Sequence, residues 1–168
     1  LLKAIAIAVR SVPDLKLKLV GDGPERQKLE QLTDELALRE HVQFLGERKD
    51  VPELLSQAGF FVTASLTEGI SLTLLEAMAV GLPVVATSVG GNSEIVDPPH
   101  TGRLVPAADP EQLAAAMVAM CEESSQWSAM GRAGRKRVEE HFEVRRMVTD
   151  YEDLYRQLLK SNTRKLNS

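Results

Sequence analysis

Short apolar runs alternate with amphipathic segments from the start of the chain to about residue 105. Each run has the length and the content of β-branched or other large apolar residues that are typical of a strand, and apolar residues between the runs recur at helical spacing. Strands that alternate with helices pair in parallel through right-handed crossovers. The runs are Leu17–Val20, Val42–Leu45, Phe60–Thr63, Val84–Thr87 and Leu104–Val105. The pattern predicts an α/β fold, with Phe60–Thr63 covered on both faces.

The segments between the runs carry specific helix signals. Residues 1–11 predict an amphipathic helix, and Pro24 is expected at the first position of the next one. Asp50 with Glu53 predicts a capping box that starts a brief helix. The expected buried stripe of the second helix is Leu29, Leu32 and Leu36.

From Asp109 onward the periodicity is helical only. The first helix has Leu113, Met117 and Met120 on its inward face. A second helix spans roughly Gln126 to Glu140, and a third carries a one-sided apolar stripe from Val144 to Leu158.

Residues 67–86 contain the largest concentration of candidate ligand-binding residues. Ser71 is a suitable N-cap, whose hydroxyl can accept from first-turn amides, and Gly81 ends the helix that follows. Leu72, Leu75 and Ala79 are expected to face the core.

Anions bind at such a helix start because free amides and the helix dipole both point there. Glu68 and Glu76 bracket it and would repel a bare phosphate, so we expect them to accept from neighbouring hydroxyls. A phosphate flanked by hydroxyl-bearing groups describes a nucleotide sugar.

Composition limits the other possibilities. The 168 residues, 43% hydrophobic and 26% charged, suit one ordinary globular domain, and a net charge of −4 gives no reason to expect nucleic-acid binding. Cys121 is the only cysteine, which fits a cytoplasmic setting. A basic run from Arg132 to Arg146 is expected to be a solvated face; contact with anionic lipid head groups, peripheral to the membrane, is the sharper alternative.

The spacing Glu68, seven residues, Glu76, followed by Ala-Met-Ala-x-Gly-x-Pro-Val-Val-Ala, resembles the signature of retaining glycosyltransferases of family 4. Four further motifs follow the family's order, at residues 20–24, 42–46, 90–96 and 101–105. The resemblance implies two Rossmann-like domains facing across a cleft. Residues 1–125 are then the donor-binding C-terminal domain, and residues 126–168 are helices that pack on it or cross to its partner domain.

The resemblance also implies a site. Glu68 would be the catalytic residue at the transferred sugar, and Glu76 would contact the ribose hydroxyls. The other donor-binding candidates are Gly69, Ile70, Ser71, Leu72, Thr73, Gly21, Gly23, Val42, Phe44, Leu45, Gly90, Gly91 and Glu94. No metal ion or other cofactor is expected, and the donor base, whether uridine, guanosine or adenosine, stays open.

Family members place a strand ending in Gly-Arg-Leu, then Lys-Gly, before the helix that Leu1–Arg10 resembles. That strand is central in the sheet, between those matching Leu17–Val20 and Phe60–Thr63, and its Arg and Lys clamp the donor diphosphate. We therefore expect an N-terminally truncated domain that lacks the acceptor-binding domain and is inactive alone. The sheet would close over the gap, leave it open or borrow a strand from another chain.

Other functions remain open. A sugar-nucleotide epimerase or a phosphorylase shares the two-domain architecture, and a non-catalytic nucleotide-sugar-binding scaffold would keep the fold alone. An NAD site is disfavoured because Arg26 stands where the third glycine of the fingerprint belongs. A glycosidase pair is disfavoured because Glu76 is expected at the ribose, away from the scissile bond.

Overall fold

The computed structural model describes residues 1–166, and side chains through residue 159. In this part of the chain five parallel strands are interleaved with helices. The strands are β1 (Leu17–Val20), β2 (Val42–Gly46), β3 (Phe61–Thr63), β4 (Val84–Thr87) and β5 (Gly102–Val105). The helices are α1 (Leu2–Ala8), α2 (Arg26–Glu35), α3 (Val51–Ser56), α4 (Leu72–Val80), α5 (Asn92–Ile95), α6 (Pro110–Glu122), α7 (Trp127–His141) and α8 (Val144–Leu166), with a 3₁₀ turn at Ser124–Gln126.

The strands form two separate sheets. β1 pairs with β2, while β3, β4 and β5 form a second sheet with β4 in the middle. No strand of the described residues lies between β1 and β3. Of the three outcomes expected for the gap, the structure therefore has the open one.

The gap is a cavity of about 1140 Å³, which we call the slot. β1 and β3 line two opposite sides of it. Its other walls come from loops and from helices, and the helical part includes Met117, Cys121 and Trp127, together with Val51 and Leu54. The third strand has apolar cover on both faces, as predicted, since Val62 packs against one apolar cluster and Phe61 against another. Its burial is nevertheless incomplete, because all three residues of β3 are partly exposed.

A shared core holds the two sheets together despite the gap. β4 is buried at every position, and its residues alternate between two clusters. Val85 faces the cluster that contains Ile5 of α1 and Met117 of α6, whereas Val84 and Ala86 face the cluster under α4. The first cluster also contains Leu17 of β1, so α1 and α6 join the sheets by apolar burial.

The buried face of α4 differs from the predicted one. Leu74, Ala77 and Met78 are buried, whereas Leu72 is 69% exposed. Apolar side chains surround this helix, so spacing alone does not select the inward face. The stripe predicted for α2 is confirmed in part: Leu32 and Leu36 are partly buried and pack against the core, whereas Leu29 is 38% exposed.

The predicted helix starts agree with the structure in position more often than in the predicted cap hydrogen bonds. Asp109 caps α6 by accepting from the Gln112 amide at 2.9 Å, and this bond is the main cause that lowers the pKa of the Asp109 carboxyl. Asp50 precedes α3 but makes no cap bond, since its carboxylate instead accepts from Arg48 Nε at 2.8 Å. Pro24 lies ahead of α2, which begins at Arg26.

The C-terminal helices behave differently from one another. The inward residues predicted for α6 are confirmed, and α7 packs on α4. The apolar stripe of α8 is exposed from Val144 to Leu158, so it adds nothing to the core of this chain. Residues 167 and 168 of the predicted C-terminal unit lie outside the described residues. None of the described helices combines the length and the apolar content needed to cross a bilayer.

The contact between α7 and α4 predicts a sharp difference between two glycines of one helix. A Cβ added at Gly131 would lie 1.8 Å from the Gly81 carbonyl oxygen, whereas one added at Gly134 would lie 3.5 Å from Met78 Cε. We expect Gly131→Ala to lower the free energy of unfolding by roughly 1–3 kcal/mol, because the helices must separate. Gly134→Ala is the matched control and should be neutral or stabilising by up to roughly 1 kcal/mol. Equal urea midpoints for the two variants would contradict this packing.

Candidate functional site

The start of α4 lies at the carboxyl end of the second sheet. Ser71 is its N-cap in extended conformation, as predicted, but the predicted cap hydrogen bond is absent. The Ser71 hydroxyl instead lies 3.4 Å from the Thr73 hydroxyl. The first-turn amides of α4, those of residues 72–74, are therefore left without a capping side chain, which is the arrangement that suits an anion.

Two loops meet beside this helix start. The amide of Gly91 donates to the carbonyl of Gly69 at 2.9 Å. Gly90 has a φ of +50°, and a Cβ there would lie 1.8 Å from the Glu68 carbonyl oxygen. Only glycine permits this approach, so the loop after β4 locks the backbone of the loop after β3. The structure thus brings four predicted residues, Glu68, Gly69, Gly90 and Gly91, into one unit.

The two predicted carboxylates are held very differently. Glu68 is partly buried, and its Oε1 accepts from the Ser65 hydroxyl at 2.7 Å. Glu76 is exposed on α4, and no described residue donates a hydrogen bond to it. Glu76 and Thr73 line the slot. One acid is therefore oriented in advance, and the other stands free at the wall of the slot.

The first sheet contributes the turn after β1. Gly21 has a φ of +116°, and its amide donates to the Gly46 carbonyl at 2.8 Å. Asp22 Oδ1 accepts from the Gly23 amide at 2.7 Å, and its Oδ2 accepts from Arg26 at 3.0 Å. The Gly23 bond, followed by the Arg26 bond, lowers the pKa of the Asp22 carboxyl.

Space above this turn is open. A Cβ at Gly23 would meet nothing within 4 Å, so the turn leaves room for another molecule. The Arg26 guanidinium carbon lies 5.9 Å from the centroid of the Phe44 ring, and this contact ties α2 to β2. Phe44 and Leu45 are partly buried near the carboxyl end of β2.

Three predicted positions fit the same edge less well. Val42 is the first residue of β2 and is buried in the core, so it lies at the end of the strand away from the turn. Ile70 and Leu72 line a second groove of about 510 Å³, formed with Phe142 and the start of α8. Glu94 is exposed on α5. No group of three or more His, Cys, Asp or Glu side chains that could hold a metal ion occurs among the described residues.

Arg137 is a positioning group that sequence reasoning missed. Its Nε donates to the Ile95 carbonyl and its second nitrogen to the Glu94 carbonyl, both at 2.8 Å. Arg137 therefore caps the C-terminus of α5, the short helix that follows Gly90 and Gly91. Its neighbours fit the predicted solvated face better: Arg135 pairs with Glu139 at 2.9 Å. Nothing in the local sequence distinguishes these two arginines.

Parallel strands that alternate with helices, here in two sheets, and candidate binding loops at the strand carboxyl ends are typical of Rossmann-like domains. The family profile described as "Glycosyl transferases group 1" matches residues 1–137, so the chain belongs to that family. The resemblance seen in the motifs is confirmed at this level.

Several relatives support the assignment. N-acetyl-alpha-D-glucosaminyl L-malate synthase of Bacillus anthracis is 36% identical over 149 residues, which are 89% of this chain and 39% of that enzyme. Sucrose-phosphate synthase from Thermosynechococcus elongatus is 32% identical with a TM-score of 0.84, covering 95% of this chain and 42% of that one. Anabaena HepE, solved in complex with UDP, is 27% identical with a TM-score of 0.77, covering 92% of this chain and 44% of that one. The matched part of the chain spans about two fifths of the length of the Bacillus anthracis synthase and of the Rhizobium meliloti glycosyltransferase LpsD, which is 32% identical over 148 residues.

The Arg137 cap predicts local stability in α5. Replacing Arg137 with Lys removes the planar two-nitrogen contact, because lysine is a point donor. We expect the amides of Glu94–Val96 to exchange with deuterium roughly tenfold faster in this variant. The matched control is Arg135→Lys, which changes an exposed ion pair on the same helix and should leave those amides unchanged. Similar exchange in both variants would show that Arg137 does not hold α5.

Proposed function

We propose that this chain is the donor-binding part of a retaining glycosyltransferase of family 4 that uses a nucleotide sugar. The observation that carries the proposal is the uncapped start of α4, with Glu68 before it and Glu76 within it. The family membership supports it, as does the UDP complex of HepE, which is a protein of the same fold.

The chemistry follows from the charges. Transfer breaks the bond between the anomeric carbon and the phosphate oxygen, and negative charge develops on the leaving nucleoside diphosphate. Free amides at residues 72–74 and the dipole of α4 stabilise that charge where it appears. Glu68 accepts from hydroxyls of the transferred sugar, and Glu76 accepts from the ribose. The turn at Gly21 and Gly23 gives the nucleotide room at the first sheet.

We also include in the proposal that the slot holds an extended strand of a longer parent protein. Successive residues of a strand direct their backbone groups to opposite edges. Leu17 donates to β2 and Phe61 donates beside β4, so Lys18 and Val62 direct theirs into the slot from either side. Two facing rows of unpaired groups match a strand that runs parallel to both.

The walls and the ends of the slot fit such a strand. Helices on both faces present mostly apolar side chains, so alternate residues of the strand would be buried in both directions. Thr73 and Glu76 belong to α4, at the proposed donor site, and they also line the slot. A strand in the slot would therefore place some of its own residues next to the donor site. The acceptor site belongs, in this proposal, to a further domain of the parent, and the isolated chain is inactive.

Location and partners complete the proposal. We assign the parent to the cytoplasm. α8 carries an exposed apolar stripe, and its first turn also carries the basic residues Arg145 and Arg146. We expect this surface to contact the acceptor domain or an anionic membrane.

Calorimetric titration with UDP, GDP and ADP tests the donor site. We expect one of these nucleotides to bind with saturation, and Glu76→Gln to weaken it roughly tenfold, because the ribose loses a charged acceptor. Glu35→Gln, an exposed acid on α2, is the matched control and should bind as the wild type does. If neither this chain nor its longer parent binds any of the three, the donor-binding proposal fails.

Hydrogen exchange tests the slot. In this chain the amides of Lys18 and Val62 should exchange rapidly, whereas those of Leu19 and Thr63, which pair with neighbouring strands, should be protected. In the longer parent, Lys18 and Val62 should become protected by roughly a hundredfold or more, because a strand then accepts from both. Unchanged rapid exchange in the parent would show that the slot stays open.

A further inference from the structure

We propose that Ser65 is a positioning residue, which holds the Glu68 carboxylate in the orientation that the donor sugar requires. This inference rests on the proposed function for the role of Glu68. It concerns a chain of hydrogen bonds that starts at a buried side chain and ends at the acid.

The contact nearest the acid fixes one carboxylate oxygen. The Ser65 hydroxyl donates its proton to Glu68 Oε1 at 2.7 Å. The Thr63 hydroxyl lies 3.2 Å from Ser65 Oγ and is placed to donate to it in turn. Each hydroxyl then has a definite direction, and the acid has a defined rotamer. Glu68 Oε2 has no partner among the described residues, so it is the oxygen left to accept from a ligand.

The other end of the chain is buried. Thr87 Oγ1 donates to the Ser65 carbonyl at 2.7 Å, and Asn92 Nδ2 donates to the Thr87 carbonyl at 2.9 Å. Asn92 is fully buried and Thr87 is 2% exposed, so this end does not move with the surface. The chain therefore connects the loop after β3 to the end of β4 and the start of α5.

The contact between Gly90 and the Glu68 carbonyl holds the backbone of Glu68, whereas the hydrogen bond from Ser65 holds its side chain. Gly90 packs on the Glu68 carbonyl, so the backbone of the acid is held independently of its side chain. With both parts ordered beforehand, ligand binding costs little rotamer entropy at this residue. Glu76 lacks such a donor and must become ordered when its ligand arrives. The two acids therefore respond differently to loss of a neighbouring hydroxyl.

Side-chain couplings of Glu68, measured by NMR in the unliganded chain, give the direct test. We expect a single χ1 rotamer in the wild type, averaging among rotamers in Ser65→Ala, and a single rotamer again in Ser65→Thr, which restores the hydroxyl. Thr87→Val keeps the side-chain shape, removes the support of the Ser65 carbonyl, and should give partial averaging. A Glu68 side chain that averages in the wild type, or stays single in Ser65→Ala, overturns the proposal.

Ligand titration separates positioning from a general structural role. Ser65→Ala should weaken binding of the nucleotide sugar roughly tenfold and leave binding of the matching nucleoside diphosphate within about twofold, because only the sugar meets Glu68. Ser128→Ala removes an exposed hydroxyl of α7 and should change neither. Equal weakening of both ligands by Ser65→Ala contradicts positioning. If the wild type and its parent bind no nucleotide, the proposed function fails, and the rotamers of Glu68 still decide the role of Ser65.

Discussion

β4 is buried on both faces, and a strand in that position must satisfy its backbone groups within the protein. It does so through β3 on one edge and β5 on the other, in continuous parallel register. That pairing aligns the ends of β3 and β4, so the loops that follow them start side by side. The close contact of Gly90 with Glu68 and the hydrogen bonds from Thr87 and Asn92 are consequences of this alignment. The Glu68 side of the candidate site is held in place because its supports belong to β4, the most buried of the described strands.

The first sheet is held to the rest of the protein less specifically than β4 is held to its neighbouring strands. β1 and β2 are paired with each other, and their connection to the second sheet is the apolar cluster around Ile5 and Met117. Apolar burial is not directional, so it keeps the sheets near one another without specifying hydrogen bonds across the slot. Backbone groups there can remain unpaired only because the slot is open to water. The turn at Gly21 and the start of α4 consequently lie on opposite sides of a space that nothing in the described residues spans.

Prediction from the sequence succeeded where the residue types of a segment are compatible with only one kind of structural environment. The run at Val84–Thr87 was predicted to the residue, because four consecutive apolar or β-branched side chains suit a strand covered on both faces. It failed on α4, where apolar residues on every side left the inward face undetermined, and Leu72 proved to be exposed. Arg137 could not be identified, since its two backbone partners are 42 and 43 residues distant and no periodicity marks such bonds. Ser65 lies only three residues before Glu68, but both belong to a loop, where no periodicity shows which side chains meet. The split sheet was one of three outcomes that pairing rules alone could not rank.

The position of Thr73 and Glu76 on the wall of the slot has a thermodynamic consequence. A segment that entered the slot and a ligand that reached Glu76 would share that surface, so each would alter the free energy of binding the other. Linkage makes the effect reciprocal: a segment that tightens the ligand by some factor is itself tightened by the same factor. If the proposed strand and the proposed donor both bind, filling of the slot and occupation of the site are thermodynamically linked through this shared wall.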